Sequence, residues 1–187
     1  SGRVIQWNHG LPNGDLHTVT PSMNTTYRAV LSDGCSVRND TQEVAIQVLE
    51  PLEVNSNNDT ILCYGNPIRL HARPSGGNGN YSYRWENMSS PLPILGSGNN
   101  LDLTPTGSLR IRVVLQDACT VKADSAQTFI RVLPDLSIQT SPDTAICSGQ
   151  SARLRARTSG GNGRYSYTWT DLSTGSPISS DSNVIVS

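Results

Sequence analysis

Four cysteines, Cys35, Cys63, Cys119 and Cys147, are the residues best suited to covalent chemistry in this sequence. A thiol can act as a nucleophile, ligate a metal or pair as a disulfide. No two of them form a CxxC, and the three histidines, His9, His17 and His71, do not recur alongside them, so a zinc site has little support. No Ser/His/Asp set, carboxylate pair or metal triad stands out either, and the sequence predicts no catalytic and no metal-binding residues. Spacing favours disulfides: Cys35 and Cys119 are 84 residues apart, and so are Cys63 and Cys147. Within one period the expected pair is Cys63–Cys119, which leaves Cys35 and Cys147 to partners outside the sequence. That bridge requires Cys63 to sit partway along an edge strand, because the loops carrying the two cysteines otherwise fall at opposite ends of a sandwich. Equal spacings of 28 residues leave Cys35–Cys63 and Cys119–Cys147 as the alternative.

Three further features invite a binding role. Arg69, His71 and Arg73, and then Arg153, Arg155 and Arg157, alternate with apolar residues and form a ladder that suits an acidic polysaccharide or a neighbouring strand. The same ladder serves equally as a solvated sheet face whose charges oppose edge-to-edge aggregation. Trp7, Trp85 and Trp169 are expected in the core, with a sugar-stacking platform alongside Tyr81 and Tyr83 as the competing reading. Asp33, Asp102 and Asp117 lie near loops and raise the question of Ca²⁺, but no spaced set of oxygen ligands accompanies them, so no cofactor is expected. The SGGNG runs at 75–79 and 159–163 lack the Lys-Ser/Thr of a phosphate-binding loop and read as tight turns.

The elements behind these residues repeat. Asp59 to Ser90 matches Asp143 to Thr174 without a gap at an offset of 84 residues, and Pro21 with Pro105 and Val48-Leu49 with Val132-Leu133 keep that offset. Trp7 to Pro21 spans 14 residues and Trp85 to Pro105 spans 20, so the first copy lacks a six-residue insertion after its Trp. The chain divides into the back part of one repeat (1–50), a complete repeat (51–134) and the front part of a third (135–187), and it reads as a window on a longer tandem array. Residues 49–53 and 133–137 are the joints, each with a Pro and little slack.

Inside the repeat, apolar residues alternate at period two: Ile68, Leu70 and Ala72; Ala152, Leu154 and Ala156; Leu109, Ile111, Val113 and Leu115. About seven short strands separated by Gly-rich breakers, with no helical period, predict an all-β immunoglobulin-like sandwich. The chain carries 14 basic and 15 acidic residues, 16 Gly and 11 Pro, so it lacks the basic excess that nucleic acid or an anionic membrane selects. No apolar run approaches the roughly 20 residues that span a bilayer, and membrane insertion is not expected.

The succession C-x-G-x-x-x-x-L-x-A, then S-G-G-N-G-x-Y-S-Y-x-W, then a strand ending D-x-C at Asp33–Cys35 and Asp117–Cys119, resembles the PKD-like and SprB-type repeats of Bacteroidota cell-surface proteins. That resemblance spans the whole chain. It implies a non-enzymatic structural or adhesive segment of a long surface adhesin or filament, of the gliding-motility kind, exported by the type IX secretion system. Its partners would be adjacent repeats, surface polysaccharide or other copies in a filament. In this setting Asp59-Thr60-Ile61, Asp124-Ser125-Ala126 and Asp143-Thr144-Ala145 are similar to the O-glycosylation signal of that phylum, which implies glycans on Thr60, Ser125 or Thr144. The alternative is a spacer or carbohydrate-binding accessory segment of a secreted enzyme. A last possibility is that 1–50 of one molecule and 135–187 of another complete a hybrid sandwich, marked by a Cys35–Cys147 bridge. Both parts carry a Trp strand, at 3–7 and 165–169, and this redundancy opposes it.

Overall fold

The computed structural model describes residues 4–89, 91 and 93–187, so Arg3, at the start of the first Trp strand, lies outside the described residues. Every regular element among them is a β-strand, as the period-two patterning requires. The first segment holds β1 (Val4–Trp7), β2 (Thr25–Ser32) and β3 (Asp40–Ile46), which form one antiparallel sheet in the order β1-β2-β3.

The second segment contains β4 (Glu53–Asn55), β5 (Thr60–Leu62), β6 (Ile68–His71), β7 (Arg73–Ser75), β8 (Ser82–Asn87), β9 (Ile94–Gly96), β10 (Asn100–Leu103), β11 (Leu109–Gln116) and β12 (Asp124–Val132). One face is the five-stranded sheet β5-β12-β11-β8-β9. The other consists of the pairs β4-β7 and β10-β6, in which β6 and β7 are one strand path interrupted at Ala72. Between the sheets lies a core built on Leu70, Trp85, Leu101, Ile111, Val113, Leu115 and Ile130, with Trp85 fully buried. Each strand contributes alternate residues to this layer, as a two-sheet sandwich demands.

The chain enters this sandwich through one sheet and crosses to the other. β4 pairs antiparallel with β7, whereas β5 pairs parallel with β12 through Thr60–Ile130 and Leu62–Val132. The crossing, residues 56–59, is polar because its backbone and side chains tie down both sheets. Asn57 Oδ1 accepts from His71 N at 2.6 Å, Asn57 O accepts from Thr128 Oγ1 at 2.7 Å, and Asp59 Oδ1 accepts from Phe129 N at 2.7 Å.

The third segment has β13 (Ser137–Thr140), β14 (Ala152–Ser159), β15 (Trp169–Thr170), β16 (Pro177–Ser179) and β17 (Asn183–Val186). The pairings repeat those of the second segment: Ser137–Ser159 matches Glu53–Ser75, and Arg155–Asn183 matches His71–Asn100. The first segment repeats the remaining part, with Trp7–Ala29 matching Trp85–Val113 and Leu31–Asp40 matching Leu115–Asp124. Two stretches that are strands in the second segment have no strand counterpart in the third. Residues 144–146, equivalent to β5, and 165–167, equivalent to the region of Tyr81–Tyr83, are unpaired. Their partners in the second segment are β12 and β11, and a strand without a neighbour has no ladder to hold it.

Candidate functional site

The cysteines are placed by the β5–β12 pairing. Cys63 follows β5 at the end of the sheet where Leu133 N donates to Leu62 O, and Cys119 lies in the β11–β12 hairpin at the other end. The nine residues of β12 separate them, a span on the order of 30 Å, whereas a disulfide needs Cα atoms within about 7 Å. All four cysteines are exposed free thiols. The Cys63–Cys119 bridge expected from spacing is therefore corrected: a parallel first-to-last strand pairing sends the two residues to opposite poles. The 28-residue alternatives meet the same obstacle, since each would link the hairpin pole of one repeat to the far pole of the next.

Cys63 instead opens a turn in which Asn66 N donates to Cys63 O and Gly65 adopts φ 78°, and Cys147 does the same with Gln150 and Gly149 at φ 80°. This turn needs a positive φ at its third residue, which explains the Cys-x-Gly spacing. At the opposite pole, Asp117 organises the hairpin. It accepts from Thr120 Oγ1, Thr120 N and Cys119 N through Oδ1, and from Asn78 N at 2.8 Å through Oδ2. These donors, the Thr120 hydroxyl first, pull its carboxyl down to about 2. Asp33 repeats the motif with Ser36 and Cys35, whose N–H groups likewise hold it below the usual carboxylate range. D-x-C is thus a hairpin lock in which the Asp, not the Cys, carries the local structure.

The SGGNG loop does more than turn the chain. Gly77 N donates to Glu50 O at 2.9 Å, and Gly161 N donates to Pro134 O at 2.8 Å, so each loop clasps the chain entering its segment. The approach is so close that a Cβ on Gly76 would lie 1.8 Å from Pro51 O, and one on Gly160 1.8 Å from Asp135 O. Both glycines also have φ near 70–80°. Tyr81 and Tyr165 close the clasp by donating from their hydroxyls to Gly76 O and Gly160 O. At the preceding end of each joint, Val48 N is held by Asn24 Oδ1 and Leu133 N by Leu62 O. Only Leu49 separates the tied residues at the first joint, and none separates them at the second. Sequence reading missed the clasp because it contacts backbone, leaving only the recurrent Gly-Gly as a signal.

The remaining candidates fall as follows. Arg69 forms a two-point pair with Asp102 across β6–β10 at 2.6 and 2.9 Å, and His71 Nδ1 lies 2.6 Å from Asn100 Oδ1. In the third segment Ile185 faces Arg153, Arg155 donates to Asn183 Oδ1, and Arg157 lies exposed opposite Gln139. Arg73 is exposed on β7. Trp7 and Trp169 are half-buried where Trp85 is fully covered. All three indole N–H groups donate to loop carbonyls, of Gly14, Gly98 and Asp181, at 2.8–2.9 Å. Among the described residues no three His, Cys, Asp or Glu side chains converge as a metal site. Asp33 and Asp117 spend their oxygens on N–H and O–H donors, and Asp102 spends its own on Arg69.

Thr60 is half-buried on β5, while Ser125 on β12 and Thr144 are exposed. The acids preceding Thr60 and Ser125 have structural uses: Asp59 holds Phe129 N, and Asp124 accepts from Val54 N at 2.7 Å. A residue no pattern announced is Glu86, 4% exposed, which pairs with Arg84 at 2.8 Å and with Arg112 on the adjacent strand.

No family model matches the chain, and no curated protein matches it in sequence. Solved structures do resemble it. The three N-terminal domains of the highly immunogenic outer capsid protein Hoc of bacteriophage RB49 align with a TM-score of 0.52 at 15% identity, over 95% of this chain and 68% of that one. An I-band fragment of titin gives 0.53 at 12% identity, and a three-Ig titin structure with Glu-to-Ala substitutions gives 0.55 at 12% identity; each covers 96% of this chain and 71% of the other. At such identities the likeness speaks for architecture alone. The chain has the immunoglobulin-like fold, set out as a string of β-sandwich repeats.

Proposed function

We propose that this chain is a non-enzymatic, stiff stretch of immunoglobulin-like units, 1–50, 51–134 and 135–187, belonging to a bacterial cell-surface adhesin or filament exported by the type IX system. The observation that carries the mechanical part is the double tether at each joint: at most one residue lies between the last bond to one unit and the first bond to the next. A joint of that length cannot swivel freely, so successive units add reach in a set direction. The surface location rests on the resemblance of the Cys-x-Gly, SGGNG and D-x-C succession to such adhesin repeats. Small-angle scattering should return an elongated particle with a narrow distribution of inter-unit angles, and a broad, bead-like ensemble would refute the stiffness. Antibodies to residues 51–134 should label intact cells that make the protein. Labelling only after permeabilisation would refute the surface assignment.

A further inference from the structure

The outer face of the five-stranded sheet β5-β12-β11-β8-β9 carries a charge pattern that the fold does not require. Side chains alternate across a strand, so Arg110 and Arg112 on β11, Arg84 on β8 and Arg131 on β12 point away from the core. The register sets one arginine in each of four successive rows of this face. Arg131 lies opposite Ile61, Arg110 opposite Phe129, Arg112 between Gln127 and Glu86, and Arg84 opposite Val114. From row to row the stripe passes from β12 through β11 to β8. Each step along this diagonal is roughly 7–8 Å, two residues of strand rise with or without one strand spacing.

Acids do not neutralise the stripe. Glu86, 4% exposed, is sunk between Arg84 and Arg112, whose own side chains stay 54% and 28% exposed. Arg112 donates to Glu86 Oε2 through Nε and Nη2, and Arg84 Nε pairs with Oε1, which fixes both guanidinium planes and leaves N–H groups of each for a ligand. Arg110 stands over Phe129, 5.2 Å from the ring centroid, and Arg131 is exposed. Among the described residues neither has a carboxylate partner. The other acids of the second unit lie elsewhere: Glu53 and Asp102 on the opposite sheet, Asp117 in the hairpin, Asp124 on Val54 N, and Asp59 at the rim on Phe129 N.

The first segment builds the equivalent strands without such a stripe. Gln6, Thr26, Arg28 and Gln47 stand where Arg84, Arg110, Arg112 and Arg131 do, and Glu43 neutralises Arg28 through contacts of 2.9 and 2.7 Å. Nor does the stripe guard an edge, since the edges of the sheet are β5 and β9.

We propose that this face binds a linear, carboxylate-bearing polysaccharide laid along the diagonal, each arginine meeting a uronate carboxylate. The argument is charge complementarity: guanidinium forks match carboxylates, and the neighbouring Gln116, Ser125 and Gln127 offer amide and hydroxyl partners to sugar hydroxyls. Glu86 within the stripe, and 14 basic against 15 acidic residues overall, disfavour a polyphosphate, whose binding draws on dense positive charge. The opposite sheet is no substitute, because Asp102 occupies Arg69. This partner deepens the adhesive role proposed above and rests on it.

The test is titration calorimetry of the full 187-residue chain with a size-defined oligogalacturonate, beside neutral dextran and single-stranded polydeoxythymidylate. Oligogalacturonate should bind, more weakly as salt rises, and dextran should not. R110Q/R131Q, which removes the two arginines without acid partners, should weaken binding about tenfold with circular dichroism unchanged. R69Q/R73Q on the opposite sheet should leave binding as it was. No binding, undiminished binding by R110Q/R131Q, dependence on Arg69 and Arg73 instead, or tighter binding of polydeoxythymidylate would overturn the proposal. Such a failure leaves the scattering and cell-labelling outcomes standing, whereas unlabelled cells with oligogalacturonate binding intact would remove the surface assignment alone.

Discussion

Asp117 and Gly76 show how single residues secure the ends of each unit. The N–H and O–H donors around Asp117 stabilise its ionised form, and its carboxyl sits at about 2, below the ordinary carboxylate range. A lowered pKa stabilises the fold fully above the unfolded value and is lost as pH falls through the folded one. Thermal midpoints should therefore drop as pH falls from about 4 to about 2. Asp117→Asn should start from a lower midpoint at neutral pH and lose less on acidification, as read by circular dichroism melts. Gly76 combines φ 68° with a Cβ position 1.8 Å from Pro51 O, while Gly79 has φ 82° and nothing within 4 Å. Gly79→Ala should cost about 1 kcal/mol from backbone strain alone. Gly76→Ala should cost more than about 2 kcal/mol, because the entering chain must also move. Urea denaturation of the two variants side by side measures the difference.

Strand pairing decides how much each repeated residue contributes. Trp85, Trp7 and Trp169 occupy the same sequence position and make the same indole hydrogen bond, yet only Trp85 lies between two sheets. Trp85→Ala should therefore destabilise the second unit by about 3–5 kcal/mol, and Trp169→Ala distinctly less, as denaturant unfolding would register. Glu86 belongs to the same level: β8 carries it on the face opposite Trp85, where Arg84 and Arg112 cover it. Glu86→Gln leaves two guanidinium groups beside an uncharged partner and should cost about 1–2 kcal/mol, since both guanidinium groups stay partly in water. Asn8 and Thr170 stand at this position in the other segments, so repeat comparison gave no warning of it.

Across the whole molecule, stability should be uneven, since one segment has two packed sheets and the flanking ones do not. Among the described residues, the large fully buried side chains all belong to the second unit. Hydrogen exchange followed by mass spectrometry on the dilute, reduced chain should find β8, β11 and β12 protected longest. β1–β3 and β13–β17 should exchange first, in line with local opening where apolar contacts are few. Uniform protection along the chain would contradict this ordering.

Much of this protein was legible without coordinates because it is local and repeated. The 84-residue period, the alternation of Leu70 with Arg69 and His71, the Gly-rich turns and the all-β sandwich follow from side-chain periodicity and turn chemistry acting over a few residues. Trp85 as a core residue of the complete copy belongs to the same class. Tertiary structure alone decided which edges meet. The β5–β12 pairing joins residues 70 positions apart in parallel, with Ile130 opposite Thr60, and nothing in either strand specifies that direction. From it follows the placing of Cys63 and Cys119 at opposite poles, against the bridge their spacing suggests. The clasp of Gly77 on Glu50 was likewise hidden, being a contact between backbones. Short-range preferences write themselves into residue types, whereas long-range pairing is chosen by the combined burial of a whole sheet, and no single stretch of sequence records it.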